Sequence, residues 1–247
     1  MENFSYRMRT WLDTAFHEVS IVKEPIGTSI ELLQQNGGVS CSDIVREVSL
    51  GNRDVIHAIC VLMGASNRRF PPALYKVIDI ILRSNVEGVV IEGLAALKGG
   101  YRGEWETVRR LLGVAEAGIN IYVRSYALSE LASSGNQRCV SRLCKLLSNK
   151  KQNELIRGAA AEALASFRIF TAVAALRSAL SDDSAEVRFW ACYSLGQLQD
   201  EGSLSELQWH AENDLGVSKQ WGPVHIEAAR AIKYILQGFV ADDPNEG

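Results

Sequence analysis

The sequence lacks the residue spacings that catalytic and metal-binding sites require. Its four histidines are scattered, and none belongs to a His-Glu-x-x-His, His-x-Glu with Cys-x-x-Cys, or facial-triad pattern. The Gly-rich stretch at 99–103 does not end in Gly-Lys-Ser/Thr and follows no strand, so it is predicted to be a flexible turn and not a phosphate-binding loop. We therefore predict no catalytic residue, no metal site and no cofactor.

The chain also lacks an excess of charge of either sign and a long apolar run. It has 26 basic and 29 acidic residues and a net charge of −3, so no overall positive field would hold nucleic acid or an anionic membrane. No apolar run reaches the roughly 20 residues that a membrane helix needs. Near the N-terminus, no apolar signal-peptide core forms. We therefore expect a soluble, unexported protein that does not act at a membrane.

Cysteines are few, odd in number and unpaired in their spacing. They are Cys41, Cys60, Cys139, Cys144 and Cys192. This pattern is not that of a disulfide framework and predicts a reducing, cytoplasmic compartment. Cys139 and Cys144 lie on a predicted helix with no histidine nearby in sequence, so we interpret them as packed thiols and not as nucleophiles.

A repeated pair of residues organises most of the chain. A small residue is followed four positions later by Leu or Ile, at intervals of 35, 34, 33, 31 and 37 residues. The pairs are Ala58/Leu62, Gly93/Leu97, Ala127/Leu131, Ala160/Leu164, Ala191/Leu195 and Ala228/Ile232. On a helix such residues share a face, where the small one lets a neighbouring helix approach and the larger one fills the space beside it. The pairs therefore predict helix packing that repeats along the chain.

Three consecutive units also share a polar residue and an arginine at fixed places. They are Asn120, Asn153 and Ser184, followed by Arg124, Arg157 and Arg188. The polar residues stand at predicted helix N-caps, where a side chain accepts a hydrogen bond from the first turn. An arginine at a fixed place in stacked repeats more often bonds carbonyls or acidic turns of the adjacent unit than a ligand, so we interpret the arginines as structural.

After each of these helices, a second apolar series with spacings of three and four predicts another helix. The series are Val108, Leu111, Leu112; Val140, Leu143, Leu147; Val173, Leu176, Leu180; and Leu204, Leu207, Ala211. One helical hairpin cannot bury both of its apolar stripes, whereas stacked hairpins share a continuous core. The pattern predicts an all-α fold, a right-handed α-α superhelix (solenoid) of helical hairpins.

The clearest unit carries a family resemblance. Its residues are Asp182-Asp183, Val187-Arg188, Ala191, Leu195-Gly196, Leu198, Asp200 and Leu207, with weaker copies at 123–147 and 156–180. In these positions the sequence resembles HEAT-repeat proteins, most closely the phycobilisome-lyase-like HEAT subgroup, over residues 85–236. The resemblance is specific for the fold and weak for activity, because the subgroup includes bilin-attachment proteins and adaptors.

The ends of the chain depart from the repeat. Residues 1–53 are predicted to form an N-terminal helical cap, continuous with a HEAT-like repeat solenoid over 54–240 as one domain, and residues 241–247 a disordered tail. The interval between Asn213 and Val224 is stretched and contains Gly216, Gly222 and Pro223, which predicts a longer loop.

The solvent side of the second helices carries the candidate binding residues. In HEAT-like solenoids this side lines the concave surface, and alignment of the hairpins places one set of side chains outward along it: Arg109, Arg110, Arg142, Lys145, Arg177, Glu206 and Trp209. A solvated helix face is the ordinary interpretation of such charges. The sharper hypothesis is a basic stripe that binds an acidic protein surface, with Trp209 as an aromatic anchor.

Three classes of function stay open. The first is a non-catalytic scaffold that binds a protein partner through its concave surface, as an adaptor or as an inhibitor such as a bacterial immunity protein. The second, implied by the resemblance, is a phycobilin-lyase-like chromophore-attachment factor. The third is a HEAT-like nucleic-acid-binding protein, which the net charge disfavours.

Overall fold

The computed structural model describes residues 41–65, 72–98 and 104–237. Within these ranges twelve α-helices form almost all of the structure. They are α1 (Cys41–Ser49), α2 (Arg53–Ala65), α3 (Pro72–Ile81), α4 (Glu87–Lys98), α5 (Trp105–Ala117), α6 (Ile121–Ser134), α7 (Val140–Ser148), α8 (Glu154–Leu164), α9 (Phe170–Ala179), α10 (Ala185–Leu198), α11 (Leu204–Asn213) and α12 (Val224–Gln237). The predicted all-α fold class is confirmed.

Several sequence predictions lie outside the described residues. They concern the turn at 99–103, residues 1–40 of the predicted cap and the predicted tail at 241–247. Helix α1 and the start of α2 belong to the described part of the cap region. The domain limits themselves stay predictions.

Contacts divide the chain into two compact units, Met1–Glu130 (unit 1) and Leu131–Gly247 (unit 2). In unit 1, α1 packs against α2 and α3, and α4 packs against α2 and α3. We call the two helices of each predicted hairpin its first and second helix. In unit 2, the first helices α8, α10 and α12 pack side by side, and the second helices α7 and α9 pack against each other.

In unit 2 the pairing between first and second helices differs from the predicted hairpins by one helix. Backbone packing is tight between α7 and α8, between α9 and α10, and between α11 and α12, and sparser between α8 and α9. Each second helix therefore packs more extensively on the first helix that follows it than on the first helix that precedes it. This pairing could not be predicted from the sequence. A small residue four positions before a leucine indicates which face of a helix is packed, but not which helix packs against it.

The repeated small residues lie where helices approach one another. Ala160, Leu164, Ala191 and Leu195 have no exposed surface. A Cβ atom added to Gly196 of α10 would come within 2.8 Å of the Cα of Ala231 in α12, so α10 and α12 nearly touch by their backbones there. Ile232 departs from the prediction because it is half-buried, and Ala231 and Ile235 occupy the buried face of α12 instead.

Two of the three predicted N-caps are confirmed. The Asn120 side chain accepts a hydrogen bond from the Val123 amide at 2.9 Å, and the Asn153 side chain accepts one from the Leu155 amide at 2.8 Å. The Ser184 side chain makes no capping bond and donates its hydroxyl to Glu154 at 2.8 Å. Ser184 is held instead through its amide, which donates to the carboxylate of Asp182 at 2.9 Å.

The repeated arginines are structural, as predicted. Arg124 donates to the carbonyl of Ala115 at 2.8 Å, and Arg157 forms a buried ion pair with Asp182. Arg188 donates to both oxygens of Asp214, at 2.7 and 2.9 Å. In unit 2 each of these arginines therefore pairs with an acidic turn that follows the next second helix, which joins neighbouring repeats.

The stretched last interval contains a small hairpin. Two-residue strands β1 (Val217–Ser218) and β2 (Gly222–Pro223) pair antiparallel between α11 and α12. The Ser218 hydroxyl donates to the buried carboxylate of Glu186, and the Trp221 ring packs edge-on against Trp190 at 5.2 Å. The predicted loop is thus fixed to α10 by a buried hydrogen bond and an aromatic contact.

Candidate functional site

The structure separates the seven predicted binding residues by exposure. On α5, Arg109 is exposed, whereas Arg110 is 9% exposed, and the prediction that it points outward is wrong. Arg110 donates to both oxygens of Asp79, at 2.7 and 3.0 Å, and its guanidinium lies 4.3 Å from the centre of the Tyr75 ring. Consecutive helical residues differ by about 100° in direction, so the two arginines could not share one narrow face.

Arg177 is half-exposed but already engaged. Its Nε and Nη2 atoms donate to the two carboxylate oxygens of Asp200 at 2.7 and 2.6 Å. The hydrogen bonds that it donates to Asp200 raise the pKa of Arg177, and the opposing effect of burial is smaller. Of the rest, Arg142 is half-buried, and Lys145, Glu206 and Trp209 are exposed. The basic part of the predicted stripe in unit 2 is therefore concentrated on α7.

Two adjoining clefts open on the second-helix side of unit 2. Cleft A, of about 610 Å³, lies between the α9–α10 turn and α11. Cleft B, of about 680 Å³, lies between α7 and α9. Ser181 and Asp182 line both clefts, so the clefts are neighbours. We call the exposed sides of α7, α9 and α11 together with these clefts the second-helix face.

A buried ion-pair network forms the wall of cleft A. Asp214 accepts hydrogen bonds from Arg188, from the Gly216 amide at 2.8 Å, and lies 2.9 Å from Nδ1 of His210. Burial would raise the pKa of Asp214, but these hydrogen bonds prevail and hold it well below its usual range. Gly216 has to be small here, since a Cβ atom would collide with the Arg188 guanidinium. The wall is therefore rigid and its charges are already paired.

Exposed apolar side chains stand at the mouths of both clefts. Trp209 and Leu215, which line cleft A, are 57% and 90% exposed, and Phe170, which lines cleft B, is 82% exposed. Contiguous exposed apolar side chains mark surfaces that bind other molecules, and Trp209 and Leu215 line the same cleft. Trp209 was predicted from the sequence; Phe170 and Leu215 were missed. The sequence indicated them only indirectly, because neither apolar residue fits the apolar spacing of its neighbouring helix.

Two lysines and a cysteine line cleft B. Lys145 is exposed at its edge, and Lys150 reaches the carboxylate of Asp182 at 2.8 Å. Cys144 also lines cleft B, where its thiol points at the Thr171 carbonyl at 3.7 Å. Burial raises the pKa of Cys144, and it raises the pKa of Cys139 to about 11. Both thiols are therefore protonated at neutral pH, in agreement with their interpretation as packed groups.

The described residues show no metal-binding group and no nucleophile activated by His210. Within 41–65, 72–98 and 104–237, no three His, Cys, Asp or Glu side chains come together as a metal-binding group. In the same part of the chain, no serine hydroxyl or thiol hydrogen-bonds to His210. Nor does any helix in these ranges combine the length and apolar character needed to span a bilayer. What the face offers is shape, apolar contact and fixed charge.

Comparison with known proteins places the fold. Residues 151–220 match a family model described as HEAT repeats. This segment contains α8 to α11 and every lining residue of cleft A. We found no curated protein that matches the chain. The phycobilisome-lyase-like subgroup stays a prediction, but the family predicted from Asp182 to Leu207 is confirmed for this segment: residues 151–220 consist of HEAT repeats.

Proposed function

We propose that this HEAT-repeat scaffold binds a protein partner on the second-helix face, as an adaptor or an inhibitor, without catalysing a reaction. The observation that carries the proposal is the pair of adjoining clefts with Phe170, Trp209 and Leu215 exposed at their mouths. Protein interfaces are commonly centred on a few aromatic and apolar anchors that fill pockets on the partner. The other helices of unit 2 supply the rigid support that such anchors need.

The charges of the face support one contact with an acidic part of the partner. Lys145 and Arg142 lie on α7, and Lys145 lines cleft B next to Lys150. An exposed cation such as Lys145 speeds association and helps to select the partner more than it adds affinity. The proposed acidic contact is thus limited to the α7 end of the face, since Arg177 on α9 is bound to Asp200.

Cleft A gives no support to the nucleic-acid alternative. Three carboxylates line it, Asp182, Glu206 and Asp214, against the single guanidinium of Arg188. Nucleic acid requires a surface that neutralises phosphates. Chromophore attachment stays a prediction of the family resemblance. The cysteines Cys60, Cys139, Cys144 and Cys192 are free thiols, which supports a reducing, cytoplasmic location.

Replacing Trp209 with alanine should weaken partner binding without unfolding the protein. Because Trp209 is exposed, its loss removes little from the folded core, whereas an aromatic anchor typically contributes about 2 kcal/mol or more to an interface, roughly 30-fold in Kd. Tagged wild-type protein and variants, added to extracts of the source cells, are compared by quantitative mass spectrometry of the captured proteins. The control is Leu236→Ala on α12, which is 66% exposed and lines neither cleft.

A specific protein captured equally by wild type and Leu236→Ala but strongly depleted with Trp209→Ala supports the proposal. Capture by wild type of nothing above an empty resin would overturn it. Equal capture by all three proteins would also overturn it, because the binding surface would then lie elsewhere.

A further inference from the structure

The charge of the second-helix face changes sign from one cleft to the other. At cleft B, Lys145 and Lys150 stand against Asp182. At cleft A, three carboxylates stand against Arg188. A partner that is acidic throughout would therefore meet repulsion at cleft A, since like charges brought together across an interface are costly.

Two of the three carboxylates at cleft A already have cations. Asp214 is bound by Arg188, and Asp182 is bound by Arg157 and Lys150. These groups are buried in the wall and need no further partner. The pKa of each lies below its ordinary value because, although burial raises it, the hydrogen bonds from these cations prevail.

Glu206 differs from both of them. It is exposed at the edge of cleft A, and within the described part of the chain no cation donates a hydrogen bond to it. Arg177 is close enough to interact with Glu206 electrostatically, but its Nε and Nη2 atoms both donate to Asp200. The carboxylate of Glu206 is therefore available to an incoming cation.

Trp209 stands three residues after Glu206 on the same side of α11. Its ring lies 5.0 Å from the ring of His210 at an angle of 90°, which restrains the indole, and it is 57% exposed. An indole beside a carboxylate is suited to an arginine or lysine side chain, because the aromatic ring attracts the cation and the carboxylate accepts its hydrogen bonds. Leu215 adds an apolar surface for the methylene groups of that side chain.

We infer that cleft A receives an arginine or lysine side chain of the partner, between Trp209 and Glu206, while an acidic residue of the same partner segment lies at Lys145. The inference rests on the proposed function and specifies which charged groups of the partner bind to this face. Helices α7 and α11 are separated by α9, and two helix spacings amount to about 20 Å. An extended peptide covers that distance in roughly six residues. The partner segment thus carries opposite charges about six residues apart.

Synthetic peptides test this directly. The first probe has two aspartates and two arginines separated by a spacer of about six alanine and serine residues. The second probe has glutamates in place of the arginines. Each is titrated into ¹⁵N-labelled full-length protein, and NMR records the indole N–H of Trp209, which a Trp209→Phe variant assigns. We expect the first probe to shift the Trp209 signal with saturation and the second to leave it unshifted.

Two matched variants locate the cation. Glu206→Gln should weaken binding of the first probe by about 5- to 30-fold, because a charge-assisted contact is lost. Glu201→Gln, an equal charge change at an exposed position before α11 that lines neither cleft, should leave its Kd within about twofold, since an exposed charge outside the contact is screened by salt.

The inference is overturned if neither probe shifts the Trp209 signal, if both shift it equally, or if the two variants weaken binding alike. A negative result here, combined with depletion of a captured protein by Trp209→Ala, would reject the cation pocket and keep the protein-binding function. Failure of wild-type capture would reject the function itself.

Discussion

Replacing Arg188 with methionine should lower the free energy of unfolding of unit 2 by about 3–5 kcal/mol at pH 7. Arg188 donates to both oxygens of Asp214 and to the carbonyls of Asp182 and Asp183. Methionine preserves much of the packing but leaves Asp214, whose side chain is 4% exposed, as a buried carboxylate without its guanidinium. A buried charge that has lost its partner is among the most destabilising changes in a protein.

The pH dependence of this loss follows from the pKa of Asp214. In the folded protein, burial raises this pKa, but the hydrogen bonds from Arg188 and Gly216 prevail and hold it below the unfolded value, which is about 3.9. The stabilisation is therefore fully present above pH about 4 and is lost as the pH falls from there towards the folded pKa. The difference in the free energy of unfolding between wild type and Arg188→Met should accordingly become smaller in acid.

Urea unfolding monitored by circular dichroism at pH 7 and near pH 3 measures both effects. The control is Arg109→Met, which removes an ion pair between two exposed side chains, Arg109 and Glu106, and should cost less than about 1 kcal/mol. If Arg188→Met lowers the free energy of unfolding no more than the control does, the arginines do not join neighbouring repeats. A difference that widened in acid would contradict the assigned direction of the Asp214 pKa.

Replacing Leu195 with alanine should cost about 2–5 kcal/mol. Leu195 has no exposed surface and lies on α10, which packs against α8 on one side and α12 on the other. The next residue, Gly196, already brings the backbones of α10 and α12 together, so the helices cannot close further to fill the cavity. A cavity that cannot collapse falls at the upper end of the range.

Chemical denaturation of Leu195→Ala beside Leu236→Ala gives the comparison. Leu236 is an exposed leucine on α12, and its truncation should change the stability by about 0.5 kcal/mol or less. Equal effects from the two variants would contradict the helix phase on which the repeat rests.

The repeat was predictable because its signals are local. The small residue and the leucine four positions later act through helix periodicity, and Ala191 and Leu195 are buried as their spacing requires. The structural role of Arg157 and Arg188 followed from the same regularity, because a residue repeated in register meets an equivalent neighbour in each repeat.

The failures have a different cause, since they depend on residues far away in sequence. Arg110 is buried because Asp79 and Tyr75, about 31 to 35 positions earlier, receive it. The Ser184 hydroxyl donates a hydrogen bond to Glu154 of the preceding first helix. Neither partner is visible in the local pattern of α5 or α10.

The clefts were also beyond sequence reasoning. Cleft A depends on the distance between the α9–α10 turn and α11 and on the short segment after α11 that holds Leu215 in solvent, and cleft B depends on the distance between α7 and α9. Trp209 could be identified because a lone aromatic on a polar helix face is visible in one helix. Phe170, the first residue of α9, could not, because helix boundaries are among the least certain features of a sequence.

Amide hydrogen exchange of the protein alone and in complex with its captured partner tests the central claim most directly. If the second-helix face is the binding surface, exchange should slow in 141–148, 170–179 and 205–216, while α12 around Leu236 keeps its free rate. Slowing confined to α12, or to residues outside these three segments, would contradict the claim.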